Sequence, residues 1–268
     1  MDKTGEIDKI VNRKSKISTM TVGIFVALVC SGLAVGFINT LAGGGTVISM
    51  TLFMMLGLDP MTANGTNRIP IVLQNLVAVT NFKRNKTLEI KTSIKWTIPV
   101  ILGSILGSTL SMEINNTAFG ICFVVVMVFM VLLLLFNPTA WIKGNPDKIN
   151  KPVSFVEYFF LFLVGIYAGF IHVGAGYFLL AILVLMNGYN LLQANAIKNF
   201  IVLLYVPFSL AVFIYHGKVN YEYGFIHAIG NVIGAYIASR WAINWGVNFI
   251  RWMVIVFIVL SCIYQLVK

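Results

Sequence analysis

Two basic residues stand inside apolar sequence: Arg68 in ANGTNRIPIV and Lys198 in ANAIKNFIVL. Each has amides within a helical turn, Asn64 and Asn67 for the first, Asn195 and Asn199 for the second, and Thr66 adds a hydroxyl. A glycine cluster lies upstream of each: Gly43-Gly44-Gly45-Thr46 in one case, Gly174-Ala175-Gly176 after His172 in the other. These types suit one task, the removal of an anion from water. A bare charge is prohibitively costly in hydrocarbon, so fixed donors must replace its hydration shell. Glycine lets backbone N–H groups approach closely. A helix N-terminus adds unsatisfied N–H groups and about half a positive charge.

Acidic side chains are nearly absent from the apolar runs, and Glu157 and Glu222 fall near span starts. A cation route usually needs carboxylates or a carbonyl cage, so the substrate reads as anionic or neutral. His172 is the candidate for proton coupling, since imidazole changes charge near neutral pH; the alternative is a hydrogen-bonded packing histidine. His216 and His227 read as interfacial. For Arg68 and Lys198 three roles are open: anion contact, snorkelling to the headgroups, and pairing with backbone carbonyls.

Something must hold these groups inside a membrane. Of 268 residues, 59% are hydrophobic and 10% charged, against about 25% charged in a soluble domain; the mean hydropathy is +0.89. No water-soluble fold of this length hides so much apolar side chain. The net charge of +10 resides mostly in a tail and loops, as cytoplasmic flanks facing anionic lipid require, and does not indicate nucleic acid. Cys30, Cys122 and Cys262 each lie in an apolar run without pairing or metal spacing, so they read as small core residues. No cofactor or metal motif, and no soluble-enzyme triad, is visible.

The expected architecture is an all-α polytopic membrane protein of ten hydrophobic segments. About eight are full spans and two are half-length or re-entrant. Residues 1–18 form a cytoplasmic tail, 19–136 a first transmembrane repeat, 137–152 a linker and 153–268 a second repeat. The segments run Met20 to Leu41, Thr46 to Leu56, Thr62 to Phe82, Trp96 to Leu110, Ala118 to Phe136, Val153 to Ile171, Tyr177 to Met186, Ala194 to Tyr215, Tyr223 to Trp241 and Val247 to Val267. Asp59-Pro60 reads as a helix start. Trp96, Trp141, Trp241 and Trp245 sit near segment ends, where interfacial aromatics belong. Gly103/Gly107 and Gly230/Gly234 are small-xxx-small patterns for close helix packing.

The two halves match at a constant offset. Gly43 and Gly174 are 131 residues apart, and the same offset pairs Gly45 with Gly176, Gly57 with Gly188, Asn64 with Asn195, Phe82 with Phe213 and Gly103 with Gly234. It also sets Asn67-Arg68 against Lys198-Asn199, while the upstream GFI tripeptides at 36–38 and 169–171 differ by 133. Duplication with a site at the repeat interface is typical of secondary transporters. Short segments that return to their own side give parallel repeats, with the tail, the 83–95 loop and the linker all cytoplasmic; full crossing gives inverted repeats.

At Gly36 to Gly45 (G-x6-GGG), Ala63 to Asn67 (A-x-GTN) and Gly174 to Gly176, the chain resembles the TauE/SafE family, also called TSUP, of sulfite exporter-like permeases. The resemblance covers nearly all of the chain after the tail. It departs from the family pattern at Met50 and Ala181, where proline is common, and at Ala196-Ile197. The resemblance implies transport of sulfite, sulfonates or sulfoacetate across the plasma membrane. The expected function is a secondary permease for such an anion, with alternating access between the repeats. The expected site comprises Gly43 to Thr46, Asn64, Thr66 to Arg68, His172, Gly174, Gly176, Asn195, Lys198 and Asn199. A coupling ion, proton or sodium, and a homodimer are partners such a permease admits. Competing readings are a non-transporting assembly or sensor subunit and an intramembrane enzyme; the latter needs paired catalytic groups that the spans lack.

Overall fold

Capping residues cut the apolar runs into helices. The computed structural model describes residues 22–41, 43–88, 90–135, 145, 148–149 and 153–241. In order, these form α1 (Val22–Leu41), α2 (Thr46–Met55), α3 (Pro60–Thr66), α4 (Arg68–Arg84), α5 (Ile90–Met112), α6 (Asn116–Leu135), α7 (Phe155–Phe170), α8 (Ala175–Ala181), α9 (Leu191–Tyr215) and α10 (Tyr221–Trp241). A π-helical turn, Ile182–Met186, continues α8. The expected tail, most of the linker, the last segment, Trp141, Trp245 and Cys262 lie outside the described residues.

Among the described residues, three stretches are long and apolar enough to cross a membrane: Val22–Leu41, Ser93–Met112 and Leu191–Tyr215. Helix α2 has 10 residues, a rise of about 15 Å, or half the hydrocarbon thickness. Large apolar side chains such as Ile98, Leu102, Val125, Phe159 and Ile233 point outward, while Asn64, Asn67, Arg68, Lys198 and Asn199 are buried. Lipid, unlike water, solvates the first set, and only protein partners can satisfy the second.

Both half-length segments end on a glycine in the left-handed region, Gly57 at φ +96° and Gly188 at φ +79°, where a side chain would be strained. The next helix then starts on a side-chain cap. Asp59 Oδ1 accepts from Thr62 N with Pro60 at the first helical position, and Asn190 Oδ1 accepts from Gln193 N. Helix α7 opens on a capping box of Ser154 and Glu157.

The expected continuous segment from Thr62 to Phe82 is interrupted at Asn67, between α3 and α4. Pro70 has no N–H to donate to the Thr66 carbonyl one turn back, and its ring crowds that carbonyl. Ile201 occupies the matching place in α9, which is continuous. Other expectations also change. Helix α5 begins at Ile90, so Trp96 lies inside it, 2% exposed, with its ring edge-on to Tyr189 at 5.6 Å; it is core and not girdle. His227 is buried rather than interfacial, and its Nδ1 lies 2.9 Å from the Leu28 carbonyl. Cys30 faces outward and not into the core.

Packing crosses between the halves. Helix α1 lies along α10, α7 lies along α5, and α4 and α9 pack on each other between them. Glycine sets the closeness of both crossings, as the small-xxx-small reading requires. A Cβ at Gly230 would lie 2.0 Å from the Val29 carbonyl oxygen, and one at Gly107 1.9 Å from that of Ile166.

Candidate functional site

The two glycine breaks, between α1 and α2 and between α7 and α8, touch. Gly43 is at φ +101°, and a Cβ there would fall 2.6 Å from the Cα of Gly176. Only glycine at position 43 permits that approach. Gly174, at φ +68°, caps α8, and His172 is itself in the left-handed region at φ +55°. Gly44 is buried within the first break.

Arg68, at the start of α4, is completely buried. Its Nη1 donates to the Ala168 carbonyl at 2.8 Å and meets His172 Nδ1 at 3.1 Å. Its Nη2 donates to the Gly169 carbonyl at 2.8 Å and to Asn64 Oδ1 at 3.2 Å. The guanidinium carbon stands 5.3 Å from the Phe213 ring centre. Asn64 Nδ2 donates to the Phe170 carbonyl at 2.9 Å. All three carbonyls belong to the last turn of α7, which carries partial negative charge and lacks intrahelical donors. An arginine can only donate, so His172 Nδ1 accepts and the ring proton sits on Nε2. The Tyr205 hydroxyl shares that acceptor at 2.9 Å.

Lys198, in α9, does the same for the other break. It is 1% exposed. Its Nζ donates to the Asn39 and Thr40 carbonyls at 2.8 and 3.1 Å and to Asn195 Oδ1 at 3.1 Å. Asn199 Nδ2 donates to the Thr40 carbonyl at 3.0 Å. These carbonyls close α1. Each cation therefore caps the helix leading into the other half's break. Burial removes headgroup snorkelling, and carbonyl pairing is the role the geometry gives both residues. Neither has a carboxylate partner among the described residues.

Proton counting leaves Lys198 no N–H for a further ligand and Arg68 one. The three N–H groups of Lys198 are all engaged. The four terminal N–H groups of Arg68 are engaged too, and only its Nε–H lacks a partner. Neutral groups remain at the first break. Gly45 N donates to Asn39 Oδ1 at 2.7 Å, leaving Asn39 Nδ2 unpartnered, as is the hydroxyl of Thr46. Ser49 Oγ lies 2.6 Å from Asn67 Oδ1 and 3.0 Å from the Thr46 carbonyl; Asn67 Nδ2 has no partner. Thr66 is set apart, its Oγ1 accepting from Asn220 N at 2.8 Å beyond α9.

The structure thus gathers Asn64, Arg68 and His172 at one break, and Gly45, Thr46, Asn67, Asn195, Lys198 and Asn199 around the other. It adds three residues absent from the sequence-based site: Asn39, Ser49 and Tyr205. Asn39 was legible, since the 133-residue offset of the GFI tripeptides sets it against His172. Ser49 and Tyr205 carry no such mark. A cavity of about 340 Å³ opens elsewhere, against Met54, Pro60, Gly120 and Phe123, and none of the buried amides or cations lines it.

The family profile described as "Sulfite exporter TauE/SafE" matches residues 28–265. A "Probable membrane transporter protein" of Haemophilus influenzae is 29% identical over 244 residues, 88% of this chain and 93% of the relative. "Probable membrane transporter protein YfcA" of Escherichia coli K12 is 26% identical over 245 residues, 90% of this chain and 87% of that protein. "Probable membrane transporter protein ORF9" of a Sinorhizobium species is 25% identical over 222 residues, 82% and 84% of the two. No solved structure matches the chain significantly.

Proposed function

Because this chain belongs to the sulfite exporter TauE/SafE family of membrane proteins, we propose that it is a secondary permease for a small oxyanion such as sulfite, a sulfonate or sulfoacetate. One observation carries the reading. Two fully buried cations, Arg68 and Lys198, flank touching helix breaks with no carboxylate to balance them among the described residues. Uncompensated buried charge is costly, and an anion arriving beside it relieves that cost.

The transport cycle is alternating access between two homologous repeats, residues 19–136 and 153–268. Support for the repeats comes from the constant sequence offset and from the reciprocal packing of α1 on α10 and α7 on α5. Each cation ties its own half to the other, so movement of one repeat against the other must alter these seats. The tail, the 83–95 loop and the linker face the cytoplasm, by the bias of basic residues. Export down the membrane potential gains about 2.3 kcal/mol per negative charge at 100 mV, so export can run without a coupling ion. Uptake needs one, and His172 is the proton candidate.

Flux of labelled sulfite into proteoliposomes tests this. The wild type should conduct, and Arg68→Gln with Lys198→Gln should abolish flux. A wild type that conducts none of the three anions ends the reading.

A further inference from the structure

The two breaks match in sequence but differ in what they leave open. At the second, the side chains satisfy one another: Arg68 is seated by two carbonyls, Asn64 and His172, Tyr205 is engaged by His172, and the Tyr167 hydroxyl donates to the Val173 carbonyl. Among the described residues, the buried side-chain atoms left without partners there are Arg68 Nε and the Tyr177 hydroxyl. At the first break three neutral side chains from three elements are unpartnered, and all three are buried: Asn39 at 6%, Thr46 at 0% and Asn67 at 0% exposure.

Hydrogen bonds link the three around one helix start. Asn39 Oδ1 holds the N–H of Gly45, which caps α2, and Thr46 is the first residue of α2. Ser49, one turn on, joins the Thr46 carbonyl to the Asn67 amide. The amide orientations follow from these partners. Gly45 N–H can only donate, so Asn39 presents oxygen to it and keeps both N–H groups free. Ser49 has a single hydroxyl proton. Given to Asn67, it leaves both N–H groups of Asn67 free; given to the Thr46 carbonyl, it accepts from a turned Asn67 amide, whose second N–H stays free. In both cases Asn67 has a donor to give.

Buried donors without acceptors cost about 1–3 kcal/mol each, and three around one helix N-terminus make a site awaiting acceptors. We propose that the substrate's charged head binds at the first break alone, held by Asn39 Nδ2, the Thr46 hydroxyl and the Asn67 amide. The preferred ligand group presents only acceptor oxygens, as a fully ionised sulfite or sulfonate head does. An ammonium has no acceptor to offer, and a halide has one centre where the donors come from α1, α2 and the α3–α4 junction. Lys198, 2.8 Å from the Asn39 carbonyl, supplies charge without an N–H. The second break serves as a joint. This rests on the permease reading, of which it names the binding residues.

The test is sulfite binding by calorimetry on the purified chain in nanodiscs, beside sulfite flux. Asn39→Asp keeps the oxygen that holds Gly45 and removes the donor; Asn67→Asp does the same toward Ser49. Each should weaken sulfite on the order of tenfold or more, as should Thr46→Val, while Thr46→Ser restores affinity. Tyr177→Phe should leave it unchanged. Chloride should compete poorly and sulfoacetate well. If Thr46→Val binds like Thr46→Ser, or if Tyr177→Phe weakens sulfite while Asn39→Asp does not, the assignment is overturned although the permease stands. Equal competition by chloride overturns the oxyanion preference. A wild type that neither binds nor moves sulfite fails the permease reading itself.

Discussion

Gly43 and Gly176 meet backbone to backbone, with room for no side chain between them: a Cβ on Gly43 would sit 2.6 Å from the Cα of Gly176. This contact joins the helix breaks of the two halves at one point. The cations then lock it from either side, Arg68 on the end of α7 and Lys198 on the end of α1.

Gly43→Ala should therefore cost more than its backbone penalty. Left-handed φ alone costs an L-residue about 1–2 kcal/mol. Gly57→Ala isolates that term, because Gly57 is at φ +96° with nothing within 4 Å of its would-be Cβ. Melting in detergent should show a small drop for Gly57→Ala and a larger one, with loss of flux, for Gly43→Ala. Equal drops would mean that the glycine contact contributes nothing.

Arg68→Lys should not substitute for arginine. Lysine brings three N–H groups from one point, whereas the guanidinium reaches four acceptors in a plane. The Ala168 and Gly169 carbonyls are the exposed loss, at roughly 1–3 kcal/mol for each buried group left unpaired. The melting temperature should fall for Arg68→Lys and further for Arg68→Gln. Wild-type stability in the lysine variant would refute the carbonyl seat.

His172 links this seat to pH. Its Nδ1 accepts from Arg68 on α4 and Tyr205 on α9, and Tyr167 from α7 holds the next residue's carbonyl. A protonated ring would set N–H against N–H at Arg68, and charge against charge. Flux of a sulfonate, which stays ionised throughout, should therefore fall on acidification once the ring takes up a proton. His172→Gln should flatten the profile; an unchanged profile removes His172 from the cycle.

Pro70→Ala tests the break between α3 and α4. The new N–H can pair with the Thr66 carbonyl and make one continuous helix, at a gain of about 0.5–1.5 kcal/mol for the hydrogen bond. The variant should melt higher and conduct more slowly. Faster conduction would show that the interruption at Asn67 is incidental to movement.

The order of amino acids alone determined the membrane class, the positions of both glycine breaks, the helix start at Asp59, and the places of the two cations. These are local matters: composition, run length and backbone preference act within a turn or two of chain. It did not determine what the cations hold, since Arg68 and Lys198 find their carbonyls 100 or more residues away. Whether a buried basic side chain snorkels, meets a ligand or caps a helix depends on its depth and on the face it turns to its neighbours. Those are fixed by the crossings of α1 with α10 and α7 with α5, as is the burial of Trp96 and His227. The same packing made Asn39, Ser49 and Tyr205 partners of the breaks, because a hydrogen bond needs two groups brought within about 3 Å, and only the assembled helices bring them there.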